Sequence, residues 1–299
     1  MSLSPLSRRR TLLVVGCGDI GMRVLRLLSG RWRLLVLSSS PGRLAELRSA
    51  GALPLLGNLD DAASLQALAR LAPLADAVLH LAPPQAQGTR DLRTAQLLRA
   101  LARAGRLKRL VYASTTGVYG DAGGARFDET RPLAPATDRA RRRVDAEQQL
   151  CRFGRDRGVA VTLLRIPGIY AADRPGGHPR ERLARGTPVL RAEDDVYTNH
   201  IHADDLARAC VAALYRGGRQ RAINVCDDTD LRMAEYFDLA ADLCGLPRPE
   251  RVSRAEAAQR FSAMQLSFMG ESRRLINRRL KTELKLRLRY PTVGEGLVA

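Results

Sequence analysis

Five apolar residues, TLLVV at 11–15, lead directly into GCGDIG and then into the amphipathic stretch MRVLRLL. An apolar run, glycines at Gly16, Gly18 and Gly21, and a helix-period pattern in that order predict a strand, a tight turn and a helix start. Each glycine has its own reason. Gly16 permits the turn, Gly18 lets backbone approach a pyrophosphate, and Gly21 lets the helix pack on the strand. Asp19 and Ile20 then fall in the first helical turn, whose free N–H groups face the anion. The spacing alone also suits a purely structural turn, but its seat between strand and helix favours dinucleotide binding.

The rhythm that follows sets the fold class. Near-continuous apolar runs at 33–37, 53–57, 77–82, 109–114 and 161–166 alternate with amphipathic stretches at 19–29, 41–50, 61–71, 88–105 and 138–157. Strands apolar on both faces and separated by helices predict an α/β, doubly wound parallel sheet of Rossmann type. After Pro167 the rhythm breaks into a loop rich in Gly and Pro at 173–179, a strand at 196–201, a helix at 203–216, a strand at 222–226 and mostly helix thereafter. The expected organisation is an NAD(P)-binding domain over 1–166 and a smaller, mostly helical substrate lobe over 167–299. Segments near 196–227 are expected to return to the sheet.

Charge is the next constraint. The 299 residues carry 49 Lys and Arg against 31 Asp and Glu, a formal net charge of +18, which invites a polyanion partner. Only Lys108, Lys281 and Lys285 are lysine, so 46 of the basic residues are arginine, spread over the whole length. That is a chain-wide bias rather than a localised footprint, and aromatics at 4% leave few stacking platforms. No specific nucleic-acid partner is expected. The five cysteines Cys17, Cys151, Cys210, Cys226 and Cys244 are widely spaced with no C-x-x-C and read as reduced thiols of a cytoplasmic protein. SRRRTLL resembles a twin-arginine signal and VVGC a lipoprotein box. The apolar run at 11–15 falls short of the ~7 residues an h-region needs, however, and no segment approaches the ~20 of a membrane span.

The end of the second strand bears on which dinucleotide is bound. An acid there would hold a ribose 2′-hydroxyl, and the chain instead reads LSSSPGR. Ser38, Ser39 and Arg43 can hold a 2′-phosphate, a charge-assisted contact of ~1.5 to 3 kcal/mol that selects NADP. NAD is the other candidate, in which case Ser40 caps a helix with Pro41 at its first position and Arg43 faces water.

Several further stretches share one family's order. GCGDIG, GNLDD (57–61), HLAPP (80–84), YASTTGVYGD (112–121), RIPGIYA (165–171) and HIHADDLA (200–207) together resemble the extended short-chain dehydrogenase/reductases, the NAD(P)-dependent epimerase/dehydratase group, and an atypical subgroup of it. The resemblance implies that Asn58 and Leu59 lie by the adenine, where the family usually has Asp at the first position. It also implies that Ala82 and Pro83 line the dinucleotide, that Pro167, Gly168 and Ile169 border the nicotinamide, and that Asp205 binds backbone groups. His200 and His202 alternate onto one strand face beside Asp204 and Asp205, but two histidines are an incomplete zinc set, and no metal is expected.

The family's catalytic set is a Ser or Thr followed by Tyr-x-x-x-Lys. The hydroxyl falls at Thr115. Counting back from Glu147 puts the lysine at Arg143 and the tyrosine at Arg139, within the run PATDRARRRVDAEQQL. Arginine does not lose its proton in a protein, so this pair can polarise a carbonyl or hold an anion but not exchange a proton. A solvated helix face explains the same arginines equally well. Tyr119 is the nearest phenol by sequence, at a position where the family packs an aromatic. Thr198 stands where nucleotide-sugar epimerases carry the diphosphate-binding arginine. Two readings result. One is an NADP-dependent oxidoreductase or epimerase-like enzyme with a non-standard site acting on a small polar substrate, with a homodimer left open. The other is a non-catalytic dinucleotide-binding sensor or regulatory protein.

Overall fold

The structure, a computed structural model, describes residues 9–298. The reading of SRRRTLL against a signal falls partly outside that range. Strands Thr11–Val15 (β1), Arg33–Ser38 (β2), Leu53–Leu56 (β3), Ala77–His80 (β4) and Arg109–Thr115 (β5) alternate with helices Asp19–Leu28 (α1), Leu44–Ser49 (α2), Gln66–Leu71 (α3) and Leu92–Ala100 (α4). Next come Arg126–Phe127 (β6), Asp138–Arg157 (α5), Ala160–Ile166 (β7), Gly168–Tyr170 (β8), Arg180–Ala184 (α6), Val189–Leu190 (β9), Tyr197–Thr198 (β10) and His200–His202 (β11). The remainder is Ala203–Arg216 (α7), Arg221–Asn224 (β12), Leu231–Arg232 (β13), Met233–Cys244 (α8), Arg251–Val252 (β14), Arg254–Arg260 (α9), Ala263–Met269 (α10), Arg274–Leu275 (β15), Arg278–Thr282 (α11) and Val293–Leu297 (α12).

Seven strands form one sheet in the order β12-β7-β5-β4-β1-β2-β3, a doubly wound α/β architecture. β1 lies parallel to β2 and β4, with Leu12 opposite Leu34 and Ala77. β2 pairs in parallel with β3, and β4 with β5. Every residue of β1 and β4 is buried, as strands covered on both faces require. The strand order reverses between β1 and β4, and in such sheets a ligand crevice opens beyond the carboxyl ends at that point.

The chain folds as two compact units. One comprises the residues through Ala113 together with Asp145–Leu163 and Cys210–Arg221; the other comprises Ser114–Val144, Leu164–Ala209 and Ala222 onward. In the second, Tyr170, Leu183, Val189, Tyr236 and Phe237 form a core closed by Val293 and Leu297. Small pairings surround it: β10 with β13, β11 with β8, β14 with β9 and β15 with β6.

Local departures from the sequence expectation have identifiable causes. The strand expected at 196–201 is broken at Asn199, whose side chain leaves the strand to donate to Arg273 O at 2.8 Å and accept from Leu275 N at 3.0 Å. The helix expected over 88–105 starts only at Leu92. Asp91 caps it by accepting from Thr94 N at 3.1 Å, and the Gln85 amide holds the preceding residues in a loop by donating to Gln87 O and Arg90 O. The stretches at 41–50 and 61–71 each open with a 3₁₀ turn before becoming α-helical. No helix among the described residues is long and apolar enough to cross a membrane, and all five cysteines are free thiols.

Asp205, at 0% exposure, holds the C-terminal segment in place. It accepts from Arg289 N through both oxygens at 2.9 and 2.8 Å, from Tyr290 N at 2.8 Å and from Arg208 Nη1 at 2.5 Å. Asp205→Ala leaves two backbone donors and Arg208 without this buried acceptor and is expected to destabilise the protein by ~3 kcal/mol in urea unfolding. A change below ~1 kcal/mol would show that water replaces the carboxylate without loss.

Candidate active site

At the carboxyl end of β1 the three glycines meet three different surroundings. Gly16 has φ +84°, and a Cβ there would lie 2.5 Å from Ala82 N and 2.6 Å from Ala82 Cα. The Leu81 and Ala82 N–H groups both donate to Val15 O, at 2.8 and 3.0 Å, drawing the loop after β4 onto the turn after β1. A Cβ on Gly21 would lie 2.8 Å from Cys17 Sγ, so only glycine lets α1 sit this close to the turn. Around Gly18 nothing lies within 4 Å. The middle glycine thus borders open space, where a ligand can approach the backbone. Asp19 begins α1 and pairs with Arg23 at 3.0 Å, with Ile20 half-buried beside it.

Two loops extend this crevice. Ser38 Oγ accepts from Ser40 N at 3.2 Å, and Ser39 is exposed. Arg43 donates through Nη1 to Cys17 O and through Nε to Glu46 Oε2 at 2.9 Å, which brings its guanidinium from the β2 end to the glycine-rich turn. The Glu46 hydrogen bond is the largest of the effects that raise the Arg43 pKa. Asn58 accepts from Asp60 N through Oδ1 at 3.0 Å, while its own N–H donates to Ser64 Oγ at 2.8 Å. Leu59 is buried beneath it, and Pro83 is exposed with its carbonyl accepting from Arg93 Nη1 at 3.1 Å.

The second unit holds Thr115, Arg139, Arg143 and Tyr119, the residues expected from the sequence to stand at or near the catalytic positions. Thr115 Oγ1 accepts from Gly117 N at 3.3 Å and caps a short 3₁₀ turn. A Cβ on Gly117 would lie 3.8 Å from that oxygen and 3.9 Å from Ala140 Cβ, so the start of α5 packs beside Thr115. Arg139 and Arg143 flank Ala140 on this helix. The Arg139 guanidinium stacks over Phe268 at 4.6 Å. Desolvation lowers its pKa, opposed by Glu271 and reinforced by Arg143, Arg273 and Arg142. Tyr119 is at 0% exposure, donating to Asn224 Oδ1 at 2.8 Å and accepting from Arg165 Nη1 at 2.9 Å. Gly168 and Ile169 lie on β8 opposite His200 and Ile201, and Pro167 precedes them. His200 stacks on Tyr236 at 4.1 Å, and burial lowers its pKa to about 3. His202 Nδ1 accepts from Asp204 N at 3.2 Å. Among the described residues no group of three or more His, Cys, Asp or Glu is placed to hold a metal ion.

A glycine-rich turn at the switch point of a doubly wound parallel sheet defines a Rossmann-type fold of the short-chain dehydrogenase/reductase kind. Residues 12–226 match the NAD dependent epimerase/dehydratase family, and the chain belongs to that family. It is 28% identical to Protein YeeZ of Escherichia coli strain K12 over 246 residues, covering 79% of this chain and 85% of that protein. A functionally unknown conserved protein from Silicibacter pomeroyi DSS superposes with TM-score 0.79 at 32% identity, over 96% of each chain. The UDP-glucose 4-epimerase of Thermotoga maritima, solved with UDP-glucose, superposes with TM-score 0.78 at 21% identity, again over 96% of each. At that identity the likeness is one of fold.

One titratable group gives no local signal in the sequence. Asp227 lines a cavity of about 250 Å³ with Arg126, Asn199, Asp228, Asp230 and Arg274. It is 3% exposed, and its Oδ1 accepts from Thr229 N at 3.0 Å while Oδ2 is buried without a hydrogen bond. Burial raises its pKa to about 7, with Asp228 adding to the rise and the hydrogen bonds from Thr229 opposing it. Because the folded pKa lies above the unfolded value of about 3.9, the stability Asp227 contributes is complete below pH ~4 and is lost as pH rises through 7. Asp227→Asn cannot ionise. It is expected to match wild type near pH 4 and to exceed it by ~4 kcal/mol at pH 8 in urea unfolding. Parallel stability–pH curves for the two proteins would contradict this assignment.

Proposed function

We propose that the protein binds a nicotinamide dinucleotide with its pyrophosphate on the turn from Gly16 to Gly21, and uses it as an oxidoreductase or epimerase-like enzyme with a non-standard catalytic set. The observation that carries this reading is the close packing of Gly16 on Ala82 beside a Gly18 open to solvent, a cradle that a Cβ at the first position would fill. Asn58, Leu59, Ala82 and Pro83 would hold the adenosine half, and Pro167, Gly168 and Ile169 the nicotinamide half. The bound dinucleotide supplies hydride donation or acceptance. The preferred form is NADP, since Arg43 reaches the turn from the position where a 2′-phosphate would lie, with Ser38 and Ser39 nearby. Glu46 competes for the same guanidinium.

The substrate is a small polar molecule, oriented by the Thr115 hydroxyl and attracted by the cations Arg139 and Arg143, which suits a carboxylate or phosphate. Thr198 in place of a diphosphate-holding arginine argues against a nucleotide-diphosphate sugar. Tyr119 takes a structural role in this reading, because its phenol is buried and hydrogen-bonded on both sides. The same observation supports a second reading, a dinucleotide sensor without turnover. Neither Tyr119 nor the two arginines is set to exchange a proton.

Titration calorimetry is expected to give tighter binding of NADPH than of NADH, with Arg43→Ala weakening NADPH by ~10-fold or more and NADH little. Equal affinities in the wild type would remove the NADP preference. The double variant Arg139→Tyr, Arg143→Lys is expected to gain no epimerase activity on UDP-glucose, since Thr198 is unchanged. Measurable turnover would restore nucleotide sugars as substrates.

A further inference from the structure

The loops after β3 and β4 are not sheet neighbours. β2 and β1 lie between them, so roughly 14 Å of sheet separates their strands at ~4.8 Å per step. A single side chain nevertheless joins them. Arg93, in the first turn of α4, donates through Nε to Asp60 Oδ1 at 2.7 Å and through Nη2 to Asp60 Oδ2 at 2.5 Å. Its Nη1 donates to Pro83 O at 3.1 Å. Two parallel bonds from a planar fork fix orientation as well as distance.

Both ends of this link are held by other contacts. On the α4 side, Leu92 N donates to Gln85 Oε1 at 3.1 Å and Asp91 N to Asp145 Oδ2 at 2.7 Å, so the helix start carrying Arg93 is set. On the other side, Asp60 N is bound by Asn58 Oδ1, and Ser64 Oγ ties Asn58 O and Asp61 O at 3.1 and 2.8 Å. The Arg93 hydrogen bond is the main cause of the lowered Asp60 pKa, so the pair is charged at neutral pH. The two side chains are 26% and 44% exposed, and pairs so exposed add little to global stability. Its geometric consequence is larger, because it closes a ring of loops around the carboxyl ends of β1 and β2, where the Gly18 backbone lies open.

We infer that Arg93 and Asp60 form a clamp that shapes the adenosine side of the crevice, with Arg93 a positioning residue that sets the Asn58 amide and the Pro83 loop. With Asn58 Oδ1 taken by Asp60 N, the amide Nδ2 is left to donate toward a ring nitrogen of the base. This inference rests on the dinucleotide reading above and deepens it.

The test is a double-mutant cycle of Asp60→Asn, Arg93→Met and the two combined, read by calorimetry with AMP and with NADH, alongside thermal melts. Each single variant is expected to weaken AMP and NADH by the same factor, about tenfold, with the melting midpoint nearly unchanged and Arg93→Lys intermediate. The combined variant is expected to bind no more weakly than either single one, because the clamp is already broken. Additive losses, unchanged AMP affinity, or loss confined to NADH would overturn the clamp while leaving dinucleotide binding intact. A wild type that binds neither AMP nor NADH would overturn the dinucleotide reading and the clamp with it.

Discussion

The approach of Gly16 to Ala82 is the constraint on which the rest of the crevice depends. Two N–H groups of the loop after β4 share the single carbonyl of Val15, which pulls that loop to a distance where no side chain fits at Gly16. Once those two loops meet, their position at the reversal of strand order leaves the turn's middle glycine facing outward. The register of β1 on β4 then controls where the open backbone lies, and it is carried by fully buried Leu and Val on both strands. Core packing and the ligand cradle are therefore one steric problem. A substitution that shifted β4 by one residue would close the cradle before it exposed the core.

Features that depend on local sterics were legible in the chain. The strands of the first half, the three glycines and the cap-and-helix order each follow from residues within a few positions of one another, so period and spacing alone locate them. What escaped depends on partners far away in sequence. Asn199 breaks a strand because of backbone more than 70 positions away, at Arg273 and Leu275. Asp227 becomes a weak acid only because the fold surrounds it, and Arg93 joins Asp60 across 33 positions and two intervening strands. Nothing at 60 or 93 read separately distinguishes that pair from two solvated charges. At 88–105 the apolar period runs past the true helix start, because the hydrogen bonds of Gln85 and the cap at Asp91 hold the first residues of that stretch in a loop.

The arginine excess acquires a local meaning from the pairings. Arg248 with Asp242, Arg251 with Asp238, Arg260 with Glu250 and Arg274 with Asp230 each join nearby elements of the second unit at 3.0 Å or less. Others bind carbonyls, as Arg157 does at Ala102 O and Arg279 at Ala222 O. A fork of donors suits these ends better than an ammonium point charge. In a chain with three lysines, arginine serves as the general-purpose connector, and its frequency follows from scattered structural tasks.

That same preference bears on the chemistry of α5. A tyrosine in the family's place would shuttle a proton between substrate and solvent, with a lysine lowering its pKa, whereas Arg139 stays a cation even with its pKa pulled down by desolvation. In the enzyme reading, two cations on α5 would stabilise negative charge developing on a substrate oxygen without relieving it by protonation. In that reading the proton would come from elsewhere, from the substrate itself or from water, and the arginines of α5 would act through their charge alone.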